Sequence, residues 1–191
     1  MVGRADLAEY YLEAPGFLGG GDDKARKQAE AMSQYNASAA HWVKAKLLEK
    51  DKKNAEAEAE YKAAIAESKN PGGEWLNLAS FYRRTDRLKE MQDAIHMAIE
   101  SDKKKGNVLY EAAKLLVRSG RNFPEAAQCL RKYIAGDKKV EDAPEFQAHY
   151  LLGTILEKQG DKQGAAEEYR AALAQASDFK QAQEGLKRVN R

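Results

Sequence analysis

The sequence predicts an all-α fold, a solenoid of stacked helical hairpins, and three observations carry that expectation. The 191 residues contain 33 alanines, so much of the apolar quota is small side chains that suit closely packed helices better than a β-branched sheet. The chain also superposes on itself. Residues 41–65 (HWVKAKLLEKDKKNAEAEAEYKAAI) lie over residues 149–173 (HYLLGTILEKQGDKQGAAEEYRAAL) without a gap, with nine of 25 positions identical. Finally, apolar residues recur at i, i+3, i+4 and i+7, as in Trp75, Leu78, Ala79 and Tyr82, with turn signals between the periodic segments.

In chain order, residues 4–13 and 22–34 read as two helices joined by Pro15-Gly16-Phe17-Leu18-Gly19-Gly20-Gly21, with Ala25, Ala29 and Met32 on one face of the second. Residues 1–36 are thus a degenerate first hairpin. The chain starts almost inside a helix, which suggests a piece excised from a longer protein. Residues 37–177 hold four fuller repeats, at about 38–70, 72–103, 106–136 and 144–177. A small residue marks the first helix of each, Ala45, Ala79, Ala113 and Gly153, at steps of 34, 34 and 40. Ala57, Met91, Ala126 and Ala165 correspond in the second helices, as do Ala64, Ala98, Tyr133 and Ala172. One insertion beside Asn122 and the polar stretch 135–147 absorb the extra residues. Turns are signalled at Lys52-Lys53-Asn54, Thr85-Asp86, Ser119-Gly120 and Gln159-Gly160-Asp161. Two helices alone cannot enclose their apolar faces, so stability must come from stacking on neighbours. Residues 178–191 place Phe179, Ala182, Leu186 and Val189 on one face, as a helix capping the last repeat would.

Composition excludes several classes. Lys plus Arg number 32 against 30 Asp plus Glu, a net charge of +2 that gives no overall basic field for nucleic acid. A single cysteine, Cys129, allows neither an internal disulfide nor a multi-cysteine metal site, and reads as a small buried hydrophobe. No apolar run is long enough to span a bilayer, and no secretory signal opens the chain. The lack of disulfides fits cytoplasm, although a bacterial periplasmic protein without its leader would look the same.

The 34-residue spacing, the paired helices and the small residues at their crossings resemble the tetratricopeptide repeat over about residues 37–177. Met91 and Tyr133 depart from the pattern, standing where a small residue is usual, and Pro71 is the only proline that closes a repeat. The resemblance implies a right-handed α-α superhelix whose first helices line a concave groove. Four first-helix positions implied to face it are, in turn, Trp42, Lys46, Glu49 and Lys50; Leu76, Ser80, Arg83 and Arg84; Tyr110, Lys114, Val117 and Arg118; and Tyr150, Thr154, Glu157 and Lys158. Three aromatics and a leucine would form a ladder there, flanked by seven cations and two carboxylates. The family's carboxylate clamp for chaperone tails is not matched: at its positions stand Trp42 and Lys46, then Asn77, then Asn107 and Glu111, and only Asn77 agrees.

Other constellations read as structure. The Gly16–Gly21 loop lacks the Lys-Ser/Thr pair and preceding strand of a phosphate cradle, and is expected to be a flexible turn with Asp22 or Asp23 as helix cap. His41 and His149 occupy one repeat position in separate repeats and read as packing residues; with His96 they form no metal-ligand spacing. Lys103-Lys104-Lys105 and Lys138-Lys139 read as solvated connections. No catalytic, metal or cofactor site is expected. The expected function is a non-catalytic scaffold holding a protein or peptide segment, with acidic and apolar side chains, in the groove. The alternatives are a homo-oligomeric assembly module and, less favoured, single-stranded RNA binding.

Overall fold

The structure, a computed structural model, describes residues 3–102, 107–136 and 143–191. Among them are eleven α-helices and no strand: α1 Arg4–Glu13, α2 Asp22–Met32, α3 Ala37–Lys50, α4 Asn54–Glu67, α5 Gly72–Arg84, α6 Leu88–Ser101, α7 Val108–Ser119, α8 Phe123–Ala135, α9 Glu145–Lys158, α10 Lys162–Gln175 and α11 Lys180–Val189. The fold is all-α. Both lysine runs, Lys103–Lys105 and Lys138-Lys139, lie outside the described residues, as do residues 137–142 of the 135–147 stretch. The chain divides into two compact units, Met1–Met97 and Ala98–Arg191.

In the N-terminal unit each helix from α1 to α4 packs on its successor, and α1 also reaches α3. Small side chains set the spacing: Ala8, Ala25, Ala29 and Ala40 interleave with Met32, Val43 and Leu47, while Tyr11, Leu12 and Trp42 close over them half-buried. Farther along, Tyr61 and Phe81 are fully buried with ring centroids 5.4 Å apart. The C-terminal unit repeats the scheme. There α7 packs on α8, α8 on α9, α9 on α10 and α10 on α11, and α11 also touches α9. Leu116, Leu130, Leu152, Ile155 and Tyr169 are buried in it.

Each signalled turn contains a left-handed residue, Lys52 (φ 60°), Asp86 (φ 57°), Gly120 (φ 69°) and Gly160 (φ 85°), and the third adds a second at Asn122 (φ 53°). Three of the four add the same closing bond to the helix before them: Lys53 N–H donates to Leu48 O, Arg87 N–H to Tyr82 O and Asp161 N–H to Leu156 O. Side-chain caps start α3, where Asn36 accepts from Ala39 N–H, and α10, where Asp161 accepts from Gly164 N–H.

Two local expectations are corrected. The residue before α2 is Gly21, with no side-chain cap, so neither Asp22 nor Asp23 caps it; both stand in its first turn. The α1–α2 loop is tied rather than loose. Gly21 N–H donates to Tyr11 O at 2.9 Å, Lys24 Nζ to Gly19 O at 2.8 Å, and the Tyr10 hydroxyl to Leu18 O. Gly20 runs so close to Ala14 that a Cβ would fall 1.8 Å from its carbonyl oxygen, so no other residue fits. Tyr133, where a small residue is usual, is also buried: its hydroxyl donates to Ala143 O at 2.5 Å and its ring meets Tyr110.

Candidate functional site

The first-helix residues implied to line a groove are best taken unit by unit. In the N-terminal unit α3 carries Trp42, Lys46, Glu49 and Lys50, and α5 carries Leu76, Asn77, Ser80, Arg83 and Arg84. Trp42, Lys46, Leu76, Asn77, Ser80 and Arg83 are half-buried, whereas Lys50 and Arg84 are exposed. Two of the four cations are already spent. Lys50 Nζ pairs with Asp22 at 2.6 Å, and Arg84 grips Glu49 with two parallel bonds, from Nε to Oε1 and from Nη2 to Oε2 at 2.9 Å. Such a fork is the geometry in which guanidinium and carboxylate fit best.

Arg83 is different. It has no hydrogen-bonded or ion-paired partner among the described residues, and its Nε is buried without an acceptor. A buried donor left unsatisfied costs about 1–3 kcal/mol. Lys46, four residues after Trp42 on α3, also has no ion-pair partner there. A hollow of about 350 Å³ opens among α1, α3 and α5, lined by Asp6, Glu9, Ser38, Trp42, Glu74 and Asn77 with Ala5, Asn36 and Ala39, and neither Arg83 nor Lys46 lines it.

In the C-terminal unit the expected ladder is consumed by packing. Tyr110 is 5% exposed, stacks with Tyr133 and donates its hydroxyl to Gln147 at 3.0 Å, so it presents no anchor. Tyr150 is half-buried between Tyr169 and Phe179, ring centroids 6.0 and 5.1 Å away. Thr154 donates its hydroxyl back to Tyr150 O. Lys114 pairs with Glu111 at 2.8 Å and lies over the Tyr110 ring, and Lys158 lies over the Phe123 ring. Arg118 is exposed and has no ion-pair partner among the described residues. The expected surplus therefore reduces to Arg83 and Arg118, with Lys46 in the field of Glu49 and Lys158 on a ring.

A second arrangement went unread in the sequence. Glu49 and Glu157, assigned to the groove, are centres of internal ties. Tyr61 donates to Glu49 at 3.0 Å and Tyr169 to Glu157 at 2.6 Å; Arg84 clamps the first carboxylate and Arg188 the second, at 2.9 and 3.0 Å. Burial pushes the Glu49 carboxyl up, but Arg84 and Tyr61 overrule it and hold it below 4.5; Arg188, followed by Tyr169, does the same for Glu157. Burial first, then the bond to Glu157, pushes the Tyr169 hydroxyl up to about 12. The repeat-equivalent histidines are also tied rather than merely packed: His41 Nδ1 meets Glu60 Oε2 at 2.6 Å and His149 Nδ1 meets Glu168 Oε2 at 2.7 Å. The bond to Glu168 raises the His149 pKa above 6.5 against burial. The signal was present, because His, both Glu and Tyr are four of the nine identities in the self-alignment. Cys129 is buried, and burial pushes its thiol up to about 11, the setting of an inert thiol.

A family model for the tetratricopeptide repeat matches residues 19–73 and 110–179, more than half of the chain. The chain belongs to the tetratricopeptide repeat family. Tetratricopeptide repeats are protein–protein interaction scaffolds, and that coarse function holds for this chain. The fold has solved counterparts. The C-terminal part of a TPR repeat-containing protein from Cytophaga hutchinsonii aligns with 97% of this chain and 70% of its own, at 12% identity and a TM-score of 0.65. YrrB, described as a TPR protein with an unusual peptide-binding site, aligns over 84% of this chain and 80% of its own, at 17% identity and a TM-score of 0.57. MamA aligns over 98% and 97%, at 15% identity and a TM-score of 0.57. At these identities the likeness is one of fold alone. No curated protein sequence gives a significant match. Among the described residues no helix is long and apolar enough to cross a membrane.

Proposed function

We propose that this tetratricopeptide repeat protein is a non-catalytic scaffold that holds a peptide segment of a protein partner against the first-helix face of its N-terminal unit. The observation that carries the reading is Arg83. Its neighbour Arg84 is fully engaged by Glu49, whereas Arg83 keeps a buried Nε with no acceptor. A carboxylate from a peptide would pair with the rest of the half-buried Arg83 guanidinium, whose charge no internal acid neutralises among the described residues. Trp42, Leu76 and Ser80 supply an amphipathic floor whose side chains are already half-ordered by packing, so little rotamer entropy is lost on binding. The acidic and apolar peptide expected from the sequence is therefore kept, but on one unpaired arginine, with Lys46 shared with Glu49, rather than a wall of seven. The RNA alternative finds its cations and rings largely committed to internal contacts.

The test is a dye-labelled ten-residue peptide pool, Glu and Asp alternating with Leu and Phe, titrated by fluorescence polarisation. Saturable binding is expected, and Arg83→Ala should weaken it at least tenfold while the helical circular dichroism stays intact. Equal affinity in a folded Arg83→Ala variant, or no saturable binding to the wild type, overturns the reading.

A further inference from the structure

His149 holds the place in the fourth repeat that His41 holds in the first, yet its surroundings differ by one carboxylate. Each imidazole presents Nδ1 to a glutamate of the following helix, His41 to Glu60 at 2.6 Å and His149 to Glu168 at 2.7 Å. The other nitrogen distinguishes them. His149 Nε2 lies 3.6 Å from Glu145 Oε1, one turn earlier on α9, whereas the residue at that place in the first repeat is Ala37. Glu145 Oε1 also accepts from Gln175 Nε2 at 3.3 Å, at the end of α10. The His149 side chain is 14% exposed, so the ring is largely withdrawn from water between two acids, one on each of the helices it joins.

This geometry fixes which atom titrates. An ionised carboxylate only accepts, so the nitrogen 2.7 Å from Glu168 carries its hydrogen whether the ring is neutral or charged. The proton exchanged with solvent is therefore the one on Nε2. In the neutral ring the Nε2 lone pair faces Glu145, and two electron-rich groups oppose each other. Once Nε2 is protonated, the same approach becomes an attraction. We infer that His149, Glu145 and Glu168 form a proton-operated latch between α9 and α10, closed by the charged imidazole and slackened by the neutral one. The first repeat has only the Glu60 arm of it. The bond to Glu168 raises the His149 pKa above 6.5, burial opposes the rise, and Glu145 adds to it. The other helices packed on α9 are α7, α8 and α11. On them Lys114 meets Glu111, Glu125 meets Asn122 and Arg188 meets Glu157, and no charged residue of the three helices pairs with His149 among the described residues. A folded-state pKa above the unfolded one gives stability that is complete below 6.5 and lost as pH rises through the folded value. The latch lies in the C-terminal unit and does not depend on the peptide reading, which rests on Arg83.

Two NMR measurements on the isotope-labelled full chain test it. In the first, the His149 ring signals are followed from about pH 5 to about pH 9. Their midpoint should lie above 6.5 and drop by roughly half a unit or more in Glu145→Gln, which keeps an acceptor for Gln175. In the second, amide exchange corrected for its intrinsic pH dependence reports the opening of α9 and α10. Half a unit is about threefold in an equilibrium constant, so opening should be roughly threefold more frequent at about pH 8.5 than at about pH 6 in the wild type. In His149→Gln the two pH values should give equal opening. A His149 midpoint unmoved in Glu145→Gln, or opening that keeps its pH dependence in His149→Gln, would overturn the latch. So would a midpoint that falls while wild-type opening is level with pH, because the ring would then titrate without holding the helices. Should His149→Gln fail to fold, Glu145→Gln alone decides, by whether its midpoint and its exchange difference shrink together.

Discussion

Tyr169 shows how much one side chain is asked to do. Its ring is fully buried, its hydroxyl is fixed on Glu157, and glycines flank it on two helices. A Cβ on Gly153 would lie 2.8 Å from its Cε1, and one on Gly185 would lie 2.5 Å from its Cζ. The small residue in the fourth repeat thus makes room for an aromatic ring, beyond letting two backbones approach. Gly153→Ala should cost about 1–3 kcal/mol through overpacking, despite the better helix propensity of alanine. Gly73→Ala, in α5 with nothing within 4 Å of the new methyl, should instead gain up to about 1 kcal/mol. Urea midpoints of the two variants check the opposite signs. The sequence marked Gly153 as special, but not what presses on it, because a ring brought in from another helix leaves no local signal.

At the scale of the element, the hairpin turn recurs along the chain with nearly the same geometry. Left-handed residues at 52, 86, 120 and 160 follow the same 34, 34 and 40 steps as the small packing residues. Two of them are not glycine. A side chain in this conformation costs roughly 1–2 kcal/mol, partly offset by the greater chain entropy glycine would lose. Lys52→Gly should therefore stabilise by about 0.5–1 kcal/mol, and Gly120→Ala should destabilise by a similar amount. Thermal unfolding followed by circular dichroism reads both. Turn positions were legible in the sequence from Asn, Asp and Gly near the breaks. Which residue takes positive φ was not, since Lys52 has no preference for it.

For the molecule as a whole, family and fold were legible, whereas the binding face was only partly so. Periodicity reports which face of a helix is shared, not which charges on it find partners. Arg83 and Arg84 are adjacent in sequence and indistinguishable there, yet one closes on Glu49 and the other has no acceptor. Those internal pairs set the response to acid. Glu49 and Glu157 are held below 4.5, and Glu58, pushed up by burial but pulled down by Arg87, Lys62 and Tyr82, is held at about 2. A depressed folded-state pKa gives stability that is complete above the unfolded value and lost as pH falls through the folded one. Stability should thus decline from about pH 4.5 toward pH 2. Replacing Glu49 and Glu157 with glutamine should cost roughly 1 kcal/mol each at pH 7 and flatten that decline. Urea unfolding at stepped pH measures both slopes.

The Glu–Tyr–Arg tie has an engineering consequence. Arg84 reaches Glu49 from α5, and Arg188 reaches Glu157 from α11, the helix the sequence reading expects as a cap. To the carboxylate, the cap is one more incoming hairpin. A spare hairpin bearing an arginine in that place, spliced between α10 and α11, would give Glu157 the same grip and offer its own glutamate to Arg188, so the array can be lengthened by modular insertion.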